Sequence, residues 1–171
     1  MDIVAWVNLI HILTAVFWAG GVIMLAWFIN PAAMASGPQG QGFMRELTQG
    51  TRMVLFLTLS SYLAILSGFY LYWVFSGGLD PEWFSSGKGI AETIGGVAAV
   101  GAFLEGQLVA RPATRRMGAL GSEIQAGGGT PNEEQLNRMM GLQARITRGV
   151  RWTAILLIIA LVGMAFGRRL F

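Results

Sequence analysis

The chain has 171 residues, 54% of them hydrophobic and 12% charged, with a net charge of +3. Soluble domains carry about 25% charged residues, so half that share, gathered around long apolar runs, excludes an ordinary soluble domain and predicts an integral membrane protein. Cysteine is absent, which excludes disulfides, iron–sulfur clusters and thiolate metal sites. The length suits one small bundle with no separate soluble domain. The positive charge is almost all arginine, Lys88 being the only lysine. These cations cluster beside the apolar runs, where they meet anionic lipid headgroups and do not form a nucleic-acid surface.

In chain order, the first span is expected at about 4–28. It lacks a positive n-region and is too long for a signal-peptide core, so it is expected to be retained. Asn30-Pro31 is expected to end it. The connection to Thr51 is rich in Gly, Ala and Ser, and its second half, GFMRELTQGTRM, predicts an interfacial helix. The second span is expected at about 53–75, its later half forming an aromatic belt. Ser76-Gly77-Gly78 breaks it, and Trp83 and Phe84 in the following loop are expected to rest on headgroups. The third span, about 90–109, is notable for Gly95, Gly96, Ala98, Ala99, Gly101 and Ala102. Small faces let helices approach closely in lipid, or leave room for a flat cofactor; close packing is the reading preferred here.

Beyond Pro112 the chain is polar yet helix-forming, and Gly127-Gly128-Gly129 makes a turn. Thr130 reads as an N-cap, with Pro131 at the first helical position and Glu133 at the third. The helix so started is expected to run unbroken into the fourth span, about 152–168. Its length exceeds a bilayer core of ~30 Å, so residues 112–151 should project as a helical hairpin. Met117, Leu120 and Ile124 on one arm are expected to face Leu136, Met139 or Met140, and Ile146 on the other. Nine arginines lie in the first and third loops, against Lys88, Arg168 and Arg169 on the opposite side. That bias predicts a cytoplasmic hairpin with both termini outside. No internal repeat is visible. The expected fold is therefore an all-α integral membrane four-helix bundle, one domain over 1–171, multi-pass in a bacterial inner membrane.

His11 is the only histidine and lies inside the first span. An ionisable side chain there is costly and marks a functional candidate. Asn8, His11, Ala15 and Trp18 follow at i, i+3, i+7 and i+10, along one helix face. By residue count His11 lies roughly 10 Å below the outer edge, and Met164 on span four lies at nearly the same depth. Ser67 and Gly68 on span two, and Gly95 to Ala99 on span three, share that level. Imidazole and thioether both ligate haem iron, so His11 and Met164 are candidate ligands, with Trp18, Gly68 and Gly95 around them. Each has a plainer reading: His11 as an interhelical hydrogen-bonding group, Met164 as packing. Depth alone leaves rotation about each helix axis open. With one histidine, a bis-His haem needs a second chain. Glu92 either orients His11 or complements a helix N-terminus, the second being preferred. Glu105 is expected to pair with Arg52, Arg148 or Arg151. There is no nucleotide loop, nucleophile–base pair or zinc motif. A copper path through His11 and methionines is compatible with thioether chemistry, although the methionines form no regular pattern.

The residues His11, then six mostly apolar positions, then Trp18-Ala19-Gly20-Gly21, resemble the first span of a group of four-helix membrane families. These are the copper-resistance D family, the membrane protoporphyrinogen oxidase of haem synthesis and the N-terminal membrane domain of cytochrome-linked urate oxidase. The end of the chain is similar to them too, with Arg145, Arg148 and Arg151 before an apolar span and Met164-Ala165 before a basic end. The resemblance implies the four-helix architecture and a haem b held by His11. The oxidase type continues past its Trp–Gly element with Pro-Arg and further histidine, and has a functional lysine in a later span. Here the stretch is MLAWFINPAA and the lysine is in a loop, so that activity is not expected. Copper-resistance members often carry more membrane histidine and methionine, so copper import is not the first expectation either.

The resulting expectation is a haem b membrane protein in electron transfer, alone, as a homo-oligomer or beside other membrane subunits. Two alternatives stay open: a cofactor-free structural subunit, and a metal or small-solute permease.

Overall fold

The computed structural model describes the backbone of residues 2–169 and the side chains of residues 2–167. The Arg168 and Arg169 side chains counted in the arginine bias lie outside that set. Among the described residues every regular element is helical. Four helical stretches are long and apolar enough to cross a membrane. They alternate in direction, so both ends of the described chain lie at one end of the bundle, the terminal end, and the hairpin lies at the other, the hairpin end.

Span one is α1 (Ile3–Met24), and it does not stop at Asn30-Pro31 as its sequence suggests. A π-turn at Leu25–Ile29 leads into α2 (Asn30–Ala35), with Pro31 in the first helical turn. Proline has no N–H, and its ring clashes with the carbonyl four residues earlier in a regular α-helix. The wider π-turn moves that carbonyl aside, so the helix passes through the proline. Gly37, with φ +58°, makes the turn that does end it. Next, α3 (Gly37–Arg45) folds back so closely that a Cβ on Gly40 would collide with the Ala33 backbone. A second π-turn (Glu46–Gly50) precedes span two, α4 (Met53–Phe75). The stretch read as a loop leading to an interfacial helix is thus helical along most of its length.

Asp80 caps the short α5 (Pro81–Ser85), accepting from the Glu82 N–H at 3.0 Å, and Ser86 caps α6 (Gly87–Glu105) through the Gly89 N–H at 3.0 Å. Trp83 turns back into the protein: its ring meets Tyr72 edge-on at 5.1 Å and covers Gly89. It therefore closes the α4–α6 corner. Span three continues through a π-turn (Gly106–Ala110) into α7 (Arg111–Ala126), again with a proline, Pro112, just after the π-turn. Spans one and three thus share one device at the hairpin end.

The last helix, α8 (Glu133–Arg169), has 37 residues, about 55 Å at 1.5 Å per residue. It is unbroken, as expected, but starts later than Thr130. Asn132 and Gln135 form the capping box: the Gln135 N–H donates to Asn132 Oδ1 at 2.8 Å, and the Asn132 N–H donates to Gln135 Oε1 at 3.0 Å. In the hairpin, Leu120 and Ile124 are buried, whereas Leu136 and Met140 are 48% and 56% exposed. The α8 arm turns Met139, not those two, inward.

The four spans pack as two tight pairs. In α6–α8 the backbones nearly touch: a Cβ on Gly163 would lie 2.7 Å from the Ala91 carbonyl oxygen and 2.9 Å from Gly95 Cα. In α1–α4, Gly21 faces Leu57 and the Phe17 and Phe56 rings meet edge-on at 5.3 Å. Contact between the pairs is sparser. It centres on Trp18, Ala19, Ala64, Ala102 and Leu157, and we call this inter-pair boundary the seam.

Candidate functional site

On α1 the inward face follows the three–four spacing of an amphipathic helix. Asn8, His11, Ala15 and Trp18 all lie on it, with Trp18 only 6% exposed. At the terminal end, the His11 Nδ1 lies 2.9 Å from the Ala64 carbonyl oxygen and 3.2 Å from Ser67 Oγ. A carbonyl only accepts, so Nδ1 carries the proton and donates to it. In the neutral ring Nε2 is then the basic nitrogen. Ser67 Oγ donates back along its own helix to the Leu63 carbonyl at 2.5 Å. Gly68 makes room for the ring, since a Cβ there would sit 3.0 Å from His11 Cε1.

A small cavity of about 30 Å³ lies in the seam. His11, Ala15, Trp18 and Ala19 line it from α1, Ala64 and Ile65 from α4, Ala99 from α6, and Leu157, Ala160, Leu161 and Met164 from α8. Imidazole and thioether therefore reach one cavity from opposite pairs, in walls made largely of alanine. Gly95 stands behind Met164: a Cβ on it would approach Ala160 O at 3.0 Å and Met164 Cγ at 3.4 Å. The space beside Gly95 is filled by the α8 backbone, so this glycine serves the helix–helix approach and does not open into the cavity.

As donors, His11 and Met164 suit haem iron. The cavity holds about one water, far below the several hundred Å³ of cofactor sites. A macrocycle does not fit the cavity as it stands. No cluster of three or more His, Asp or Glu side chains suited to a metal occurs among the described residues.

The other sequence candidates lie elsewhere. Glu92 packs against Gly167, while the His11 Nδ1 reaches the Ala64 carbonyl and Ser67 on α4. Toward the hairpin end, Glu105 accepts a hydrogen bond from Thr153 Oγ1 and lies over Gly149. Arg148 shares an open cleft with Glu105 without forming an ion pair to it. Sequence reasoning passed over the Ala64 carbonyl and the role of Ser67. The one available signal was the level of Ser67, since rotation of α4 is not readable from depth.

Comparison of the chain with family models, with curated proteins and with solved structures returns no match.

Proposed function

We propose that this chain is a membrane haem b protein of electron transfer, acting alone or within a larger redox complex. With the seam opened, His11 Nε2 would hold the iron and Met164 would supply the donor from the opposite pair. The observation that carries the reading is that the sole imidazole and Met164 reach one alanine-walled cavity from the two sides of the loosest boundary in the bundle. Haem bound there supplies a one-electron couple, which a thioether ligand moves to higher potential.

The chain's own residues do the positioning. The Ala64 carbonyl holds Nδ1–H and fixes the tautomer, leaving the Nε2 lone pair as the donor. Ser67 limits rotation of the ring, Gly68 leaves it space, and buried Trp18 closes the bundle beneath it. The resemblance of the first span to the four-helix haem and copper families supports the same reading, as does the arginine bias for a cytoplasmic hairpin in a bacterial inner membrane.

The cavity's size favours a second reading. A space of one water between imidazole and thioether suits a bare soft cation such as Cu(I). One experiment separates the two. The detergent-purified protein, expressed with ample haem, is measured for its reduced-minus-oxidised spectrum and its metal content, beside His11→Ala. A b-type α-band in the wild type, lost in the variant, is the expected result. A colourless wild type carrying copper selects the second reading, and a colourless wild type without metal overturns both.

A further inference from the structure

At the hairpin end, where α8 leaves the apolar zone, a second and larger opening lies between α6 with its π-turn and α8. It is an open cleft of about 430 Å³ lined by Glu105, Val109, Ala144, Arg145, Arg148 and Trp152, with Gly141 and Gly149 in its wall. It is unlike the seam cavity in size and polarity. Three of its lining residues bear charge, of both signs. Among the described residues the two guanidiniums have no hydrogen-bond or ion-pair partner. The carboxylate beside them is held instead by Thr153. The cleft thus keeps its cations and its anion apart and presents both. Trp152 is 56% exposed at its edge, in the position tryptophan favours between hydrocarbon and headgroups.

We infer that this cleft binds the headgroup of a zwitterionic aminophospholipid, its phosphodiester on Arg145 and Arg148 and its primary ammonium on Glu105. Arginine matches phosphate oxygens through paired N–H donors. A primary ammonium donates three N–H bonds, and the Glu105 carboxylate accepts them. An anionic glycerol headgroup satisfies the arginines but offers the carboxylate only neutral hydroxyls, with no opposite charge. A choline headgroup brings charge but no N–H donor. Trp152 and Val109 cover the glycerol and the start of the acyl chains. The volume is within the range of small-ligand sites, and Gly149 provides the flat floor on which Glu105 already lies.

The test is native mass spectrometry of the full-length protein in detergent, titrated with dioleoyl phosphatidylethanolamine, phosphatidylglycerol and phosphatidylcholine. Phosphatidylethanolamine is expected to be retained about fivefold more tightly than the other two, the size of one partly exposed ion contact. Glu105→Gln keeps an oxygen for Thr153 and should erase that preference while leaving phosphatidylglycerol binding intact. The Arg145→Gln, Arg148→Gln double variant, changed only at exposed side chains, should weaken all three lipids. Circular dichroism and size exclusion check that each variant folds, and the double variant alone keeps the phosphate contact testable. Equal retention of the three lipids by the wild type, preference for phosphatidylglycerol, or an ethanolamine preference that survives Glu105→Gln would overturn the inference. So would free O-phosphoethanolamine competing at the same concentration as the lipid, which would make the ligand a soluble one.

Discussion

The interface inside the α6–α8 pair and the seam between the pairs are built from the same kinds of residue and behave differently. Within the pair, at the level of Gly95 and Gly163, two backbones come into near contact and leave no space between them. Across the seam, Ala15, Ala19, Ala64, Ala99 and Ala160 stand around a cavity. In lipid there is no hydrophobic drive between helices, so tightness comes from close packing and from hydrogen bonds. Glycine gives both helices that closeness, while alanine holds each wall one methyl back. The residues with chemistry, His11 and Met164, face the looser boundary. The α6–α8 pair is close-packed at its glycines, and the boundary between the pairs keeps a small space beside the two side chains with chemistry.

The comparison breaks most completely at Gly163. Its replacement by Leu puts a branched side chain where even a Cβ approaches backbone at 2.7 Å, and overpacking of this kind costs about 3 kcal/mol or more. The expected outcome is loss of the monodisperse peak in size exclusion, with the equivalent leucine at Gly96, where no atom lies within 4 Å, keeping it. A milder break in the same pair is Thr153→Val. It leaves the Glu105 carboxylate without its donor, so thermal unfolding in detergent should show a loss of about 1–3 kcal/mol.

Gly68→Ala sharpens the seam side. Its methyl would press on His11 at 3.0 Å and displace the ring from the Ala64 carbonyl. If the proposed haem is bound, the expected result is a shifted or weakened haem band with a stability change below about 1 kcal/mol. An unchanged spectrum would show that the ring's position is set elsewhere. At the other extreme, Gly20→Ala meets open space. It should leave spectrum and stability unchanged to within about 0.5 kcal/mol, and a large effect there would reveal a partner on that face of α1.

The four spans were legible because uninterrupted apolar runs leave a membrane helix little alternative. The level of the candidate site was legible too, because rise per residue is fixed and the spans are antiparallel; counting residues sets Met164 opposite His11. What counting does not carry is rotation. It therefore missed the Ala64 carbonyl and left Glu105 paired on paper with arginines when the structure turns it to Thr153. Pro31 was misread for a different reason. A proline signals a helix end only while the preceding turn is α-helical, and nothing in LAWFI announces a π-turn. The cap at Asn132 was missed because Thr130-Pro131 satisfies the same rules two residues earlier, and only the reciprocal bonds of Gln135 decide between them.

The π-turn before Pro112 has a consequence for how span three faces its neighbours. Ala102 and Ala113 are both buried and stand about three α-helical turns apart in sequence, so in a regular helix they would point the same way. The π-turn between them takes up one extra residue per turn and rotates everything beyond it by roughly a quarter of a circle. A single continuous rod thereby presents one bearing to the bundle and another to its own hairpin. The shift is a matter of phase and needs no bend.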